Sequence, residues 1–186
     1  MLQEQRLKSG AFKLTATAVL TAIGILIPMF FPRVVIGPAS YTLASHVAIF
    51  IAMFISPSVA VGVTLGTTLG FLFGGFDLVI VFRAASHLVW AWPGALYLSR
   101  IDKFNISWVH LRVFSLVIAL IHGAAELGAV VLFFFGTNFP ADFSLAWLLG
   151  FVGLGTVLHS MVDLEMANMV WHVLKRQRQI RQLMMR

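Results

Sequence analysis

Residues 78–92 read LVIVFRAASHLVWAW. Apolar side chains fill this stretch, yet Arg83 and His87 sit inside it at i, i+4, on one helix face. As a membrane-spanning helix it carries a charge that costs about 2.5–3.5 kcal/mol at the bilayer centre. A partner or a function is expected to offset that cost. The rest of the chain supports the membrane reading. Of 186 residues, 60% are hydrophobic and only 11% charged, against about 25% charged in soluble domains. Mean hydropathy is +0.94. No polar stretch is long enough for a separate catalytic or nucleic-acid-binding domain. The absence of cysteine excludes disulfides, iron–sulfur clusters and thiolate chemistry.

Working outward from this stretch, apolar runs broken by turn residues give six spans, at about 12–31, 42–56, 58–74, 77–98, 111–135 and 145–171. The Ser56-Pro57-Ser58 break separates the second from the third. The first apolar run reads as a retained helix, because no small-residue cleavage site follows it. Eleven of the thirteen basic residues lie before the first span, between the fourth and fifth, or in the basic tail 172–186. By the positive-inside rule that side is cytoplasmic. This asymmetry accounts for the net charge of +6 without nucleic acid. The expected architecture is an all-α integral membrane protein: one membrane domain, 1–186, a six-helix bundle with both termini cytoplasmic. The third run repeats Gly62, Gly66, Gly70 and Gly74 every fourth residue, a face on which another backbone can pack closely. The first run carries a small-residue step, Ala18-xxx-Ala22.

Polar pairs share helix faces: Arg83 with His87, His122 with Glu126, His159 with Asp163. At about 1.5 Å per residue, Arg83 lies about 9 Å from the outer edge, His87 about 15 Å, Glu126 about 14 Å and His46 about 6 Å. His122 and His159 follow at about 20 Å, and Asp163 at about 27 Å. This places His46, Arg83, His87 and Glu126 around a polar cavity open to the outside. Arg83 and Glu126 also fit a structural ion pair. Asp163 and Glu165 are expected near the cytoplasmic end, paired with basic residues, and His159 fits either group.

Other chemistries fit less well. A metal site is set aside because no HExxH-like spacing occurs and Arg83 would repel a cation. Ser86 and His87 are adjacent and face different directions, and no G-x-S-x-G is present, so an intramembrane serine protease is not supported. A stand-alone proton-coupled carrier stays as the alternative, since His/Glu/Asp chains serve as relays. No ATP-binding motif occurs, so uphill transport would draw energy from another subunit.

Ala18-xxx-Ala22, the connection PRVVIGPASYTLASHV (32–47) and VFRAASH (81–87) resemble the substrate-binding S components of energy-coupling factor (ECF) vitamin importers. The resemblance covers the whole chain. It implies a non-enzymatic transport subunit without a cofactor, working with a transmembrane coupling protein and two ATPase subunits. It implies that Ala18 and Ala22 dock the coupling protein and that the first outer loop lids the cavity. The implied substrate-binding set is Tyr41, His46, Arg83, His87, His122, Glu126 and Asn138, the last in GTNFPADF (136–143). A niacin-like or other small-ring B vitamin is favoured; hydroxymethylpyrimidine, pyridoxine-type compounds and cobalamin stay open. An arginine suits a carboxylate, and aromatic side chains suit a heterocycle.

Overall fold

The structure, a computed structural model, describes residues 2–36, 39–135 and 144–184. It is a helical bundle carrying one hairpin. Helix α1 (Leu2–Phe30) leads into strands β1 (Arg33–Ile36) and β2 (Ala39–Thr42), then α2 (Val47–Ile55) and α3 (Pro57–Phe73). Next come α4 (Leu78–Ser86), α5 (Leu88–Ser99) and α6 (Trp108–Phe135). The last long helix comprises α7 (Leu145–Trp147), a π-helical stretch (Leu148–Leu154) and α8 (Gly155–Leu174), and α9 (Arg178–Met184) follows. Among the described residues, four stretches are long and apolar enough to cross a membrane: Leu7–Phe30, Leu78–Ser99, Trp108–Phe135 and Leu145–Leu174. Pro57–Phe73 is a shorter apolar helix.

The expected second span, 42–56, is corrected. Only Val47–Ile55 is helical, and all nine of its residues are buried. At about 1.5 Å per residue it is about 14 Å long, roughly half the hydrocarbon thickness. A helix apolar on every side belongs inside a protein core, and α2 packs against α1, α3, α5 and α8. The residues before it are not helix. Arg33 pairs with Thr42 and Ile36 with Ala39 in an antiparallel hairpin, so the all-α expectation missed this element. The Ser56-Pro57 break is real: Ser56 is extended, its Oγ accepts the Val59 N–H at 3.3 Å, and Pro57 opens α3.

The glycine ladder packs within the chain. A Cβ on Gly62 would lie 2.8 Å from Thr17, and one on Gly66 would lie 2.7 Å from Thr21. Gly70 meets Ile25 in the same way, while Gly24 of α1 returns the contact at 2.5 Å from Thr67. Small residues on both helices let the α1 and α3 backbones approach. Gly74 instead caps α3. On α1 a neighbouring stripe, with Leu14, Ala18 and Ala22, is exposed.

The expected fourth span is helical but breaks at His87, where the His87 N–H turns to Ala84 O at 3.2 Å. The π-helical stretch lies in the Gly-rich LLGFVGLG (148–155), which begins where Gly123 of α6 comes close. A Cβ on Gly123 would lie 2.8 Å from Gly153 O.

Candidate functional site

Three helices bring a carboxylate, an arginine and a histidine together. Glu126 projects from α6 and is 2% exposed. Its Oε2 accepts Arg83 Nη2 from α4 and Thr156 Oγ1 from α8, each at 2.7 Å. Its Oε1 accepts His87 Nε2 at 3.1 Å. His87 reaches that position from the break between α4 and α5. The partner expected to offset the cost of Arg83 is therefore Glu126, with both side chains buried. A charge-assisted pair of this geometry satisfies two groups that would be strongly unfavourable alone.

A second carboxylate organises the chain entering α2. Asp163 Oδ1 accepts the Ala44 N–H at 2.9 Å. Its Oδ2 accepts the His46 N–H at 2.9 Å and meets His46 Nδ1 at 3.1 Å. Asp163 thus caps the N-terminus of α2 from another helix, placing negative charge at the positive end of its dipole. Ala44 has φ +68, a left-handed conformation that costs an L-residue about 1–2 kcal/mol. It aims the Ala44 N–H at the carboxylate. This corrects the expected separation of His46 from Asp163 in depth. Counting depth from the membrane edge assumed that the chain enters as helix at residue 42, whereas a hairpin and a tight turn carry His46 to the level of Asp163. Glu165 does pair with a basic residue, Arg112. His159 joins the histidine group: its ring centroid is 5.1 Å from that of His46, and its Nε2 is 3.1 Å from Ser45 Oγ.

His46 sits at the centre, with ring centroids 4.8 Å from His87 and 4.6 Å from His122. Trp90 flanks the group at 4.7 Å from His122. His122 Nδ1 lies 3.1 Å from Ser160 Oγ. Above this cluster lies a cavity of about 60 Å³. His46, Arg83, His87 and Glu126 line it. Ser40, Thr42 and Arg33 also line it from the hairpin, and Phe71 and Phe76, stacked at 4.5 Å, form an apolar wall.

Tyr41 is brought near the site but faces away from the cavity. Successive strand residues point to opposite faces, so Ser40 and Thr42 face the cavity while Tyr41 turns to the last helix. Its hydroxyl donates to Phe151 O in the π-helical stretch, and its ring lies 5.4 Å from His159. Burial pushes the Tyr41 hydroxyl above its usual pKa, so it stays a donor. Gly155 is required beside it, since a Cβ there would lie 2.5 Å from the hydroxyl. His122 lies beneath the cavity rather than on its wall. Asn138 falls outside the described residues.

Sequence reasoning missed Arg33, Thr156 and Asp163 as members of this region. Arg33 sits in a loop by composition, and only the strand pairing with Thr42 brings it to the cavity. Thr156 had none, because its contact depends on the packing of α8 against α6.

No family model and no solved structure matches the chain. It is 38% identical over 176 residues to the niacin transporter NiaX of Lactococcus lactis subsp. cremoris (strain MG1363), an alignment covering 92% of this chain and 78% of that one. Similarity of that extent, joined to an apolar helical bundle with an arginine–carboxylate–histidine site under a hairpin, places this multi-pass cell-membrane protein in the family of vitamin-binding S components of energy-coupling factor importers.

Proposed function

We propose that the chain captures a small anionic ring vitamin, nicotinate or a close pyridinecarboxylate, in the cavity beneath the β1–β2 hairpin. The carrying observation is the charge of that cavity. Among the described residues, its charged lining is Arg33, Arg83 and Glu126, a surplus of one positive charge, beside the Phe71–Phe76 wall. A carboxylate balances the charge and an aromatic ring stacks on the wall. The similarity to a niacin transporter supports the same ligand. The cavity, about 60 Å³, is well below the roughly 300–1,000 Å³ of ligand pockets, so ligand entry requires the hairpin to give way. His46, His87 and Glu126 complete the binding set.

In this reading the chain crosses the membrane six times with cytoplasmic ends, the second crossing being made by the turn before α2 together with the short helix α2 itself. The chain delivers its vitamin to a transmembrane coupling protein driven by two ATPase subunits. The exposed Ala18 and Ala22, on an α1 stripe beside the one packed on α3, support docking there. The buried histidine–carboxylate chain also suits a stand-alone proton-coupled carrier, which would take up nicotinate alone in liposomes under a pH gradient.

Native mass spectrometry of the purified chain, with calorimetric titration of nicotinate, tests the ligand. Arg83→Ala should weaken binding about 30-fold or more, matching the 2 kcal/mol or more lost when one member of a buried charge pair is truncated. A monodisperse Arg83→Ala protein with unchanged nicotinate affinity would overturn the assignment. Ala18→Trp should abolish uptake in the assembled importer while leaving nicotinate binding intact.

A further inference from the structure

The histidines exceed what a small carboxylate ligand needs. His46, His87, His122 and Glu126 each offer one ligand atom, and these four atoms lie within 4.8 Å of one another. The four side chains are at most 8% exposed. Glu126 Oε1 is 3.1 Å from His87 Nε2 and 3.4 Å from His122 Nε2. Ligands about 2.0–2.1 Å from a tetrahedral zinc ion stand about 3.3 Å apart, so two of these separations already match. Ring rotations of about an ångström would bring in His46.

The surrounding hydrogen bonds point the same way. Asp163, a carboxylate acceptor, takes the His46 Nδ1–H at 3.1 Å and leaves Nε2 as the nitrogen that a metal ion would take. His122 Nδ1 is held by Ser160 at 3.1 Å, while its fully buried Nε2, among the described residues, meets only Glu126 Oε1 at 3.4 Å, without good hydrogen-bond geometry. A second ring nitrogen tied to a carboxylate or hydroxyl is how metal-ligating histidines are oriented. A coordinated ion would give that nitrogen a partner of better geometry.

Both grounds against a metal at the sequence level lose force. The ligands come from three separate elements, so no short spacing motif can announce them. Arg83 does not stand against the cluster as an uncompensated charge, because Glu126 Oε2 takes its Nη2 while Oε1 faces the imidazoles. The cavity provides an entry path, since His46, His87 and Glu126 lie on its wall.

We propose that His46, His87, His122 and Glu126 form a binding site for a divalent first-row metal of the zinc, cobalt or nickel type. Three imidazoles and one carboxylate suit such borderline ions. Asp163 and Ser160 act as positioning residues for His46 and His122.

The test uses the full chain purified in detergent, stripped with a chelator and desalted. Zinc chloride is titrated by calorimetry, and cobalt chloride by visible absorption. The expected result is one ion per chain, with the d–d bands of a tetrahedral cobalt site. His122→Ala should lose stoichiometric binding and the bands. Ser160→Ala keeps every ligand and should weaken zinc about tenfold or more. Should His122→Ala fail gel filtration, Ser160→Ala decides. Wild-type protein that is monodisperse yet binds neither ion stoichiometrically overturns the proposal. So does binding that Ser160→Ala leaves unchanged, which would place the ion on other histidines such as His110 or His172.

Discussion

Glu126 and Asp163 are both buried carboxylates beside histidines, yet they have different employment. Among the described residues, every partner of Glu126 is a side chain: Arg83, His87 and Thr156 from other elements, and His122 of its own helix at 3.4 Å. Asp163 spends much of its capacity on backbone, accepting the N–H groups of Ala44 and His46. A carboxylate bound to side chains can exchange partners when a ligand arrives, because side chains rotate. One bound to backbone fixes the path of the chain. Glu126 therefore belongs to the changing chemistry of the cavity, whereas Asp163 anchors the turn that carries His46 and Ser45 into it.

The sharpest way to break this contrast is to remove each carboxylate. Glu126→Ala removes the carboxylate that faces the buried Arg83 guanidinium and should cost about 3–5 kcal/mol, read as a large drop in thermal midpoint in detergent. Asp163→Ala leaves two backbone donors unmatched and should cost about 1–3 kcal/mol for each. It should also raise hydrogen exchange at Ala44 and His46, a local effect that Glu126→Ala should not produce. Equal exchange at these amides in both variants would erase the distinction. Tyr41→Phe removes one hydrogen bond from the hairpin and should cost about 1 kcal/mol, measured by the same melting assay. The smallest effect is expected from Ala44→Gly, which relieves the left-handed strain. Melting should be unchanged or raised by a degree or so, with ligand affinity preserved, because Asp163 still holds the N–H.

The α1–α3 contact shows how far local pattern carries. Glycines every fourth residue predict a close approach whichever helix supplies the partner, since the missing Cβ is a property of the residue itself. That the partner is the Thr17–Thr21–Ile25 face, leaving Ala18 and Ala22 outside, follows only from packing. The same division runs through the site. Arg83, His87 and Glu126 were legible because they sit at similar depth on helices that enter from the membrane edge. His46 was assigned to the group for a mistaken reason, as a shallow residue at the start of a span. Tyr41 was read as a cavity residue, but strand alternation turns it to the last helix.

Composition, the clustering of basic residues and the apolar runs by themselves determined a helical membrane protein, because burial in lipid is an additive property of side chains taken one at a time. Alternating small residues determined that two helices pack closely. The tertiary structure alone decided that residues 33–36 and 39–42 pair as a hairpin with a turn after it, that α2 is a short core helix, and that His46 meets Asp163 across 117 positions of sequence. These depend on which backbone donors a distant carboxylate can reach, and no local pattern records that distance.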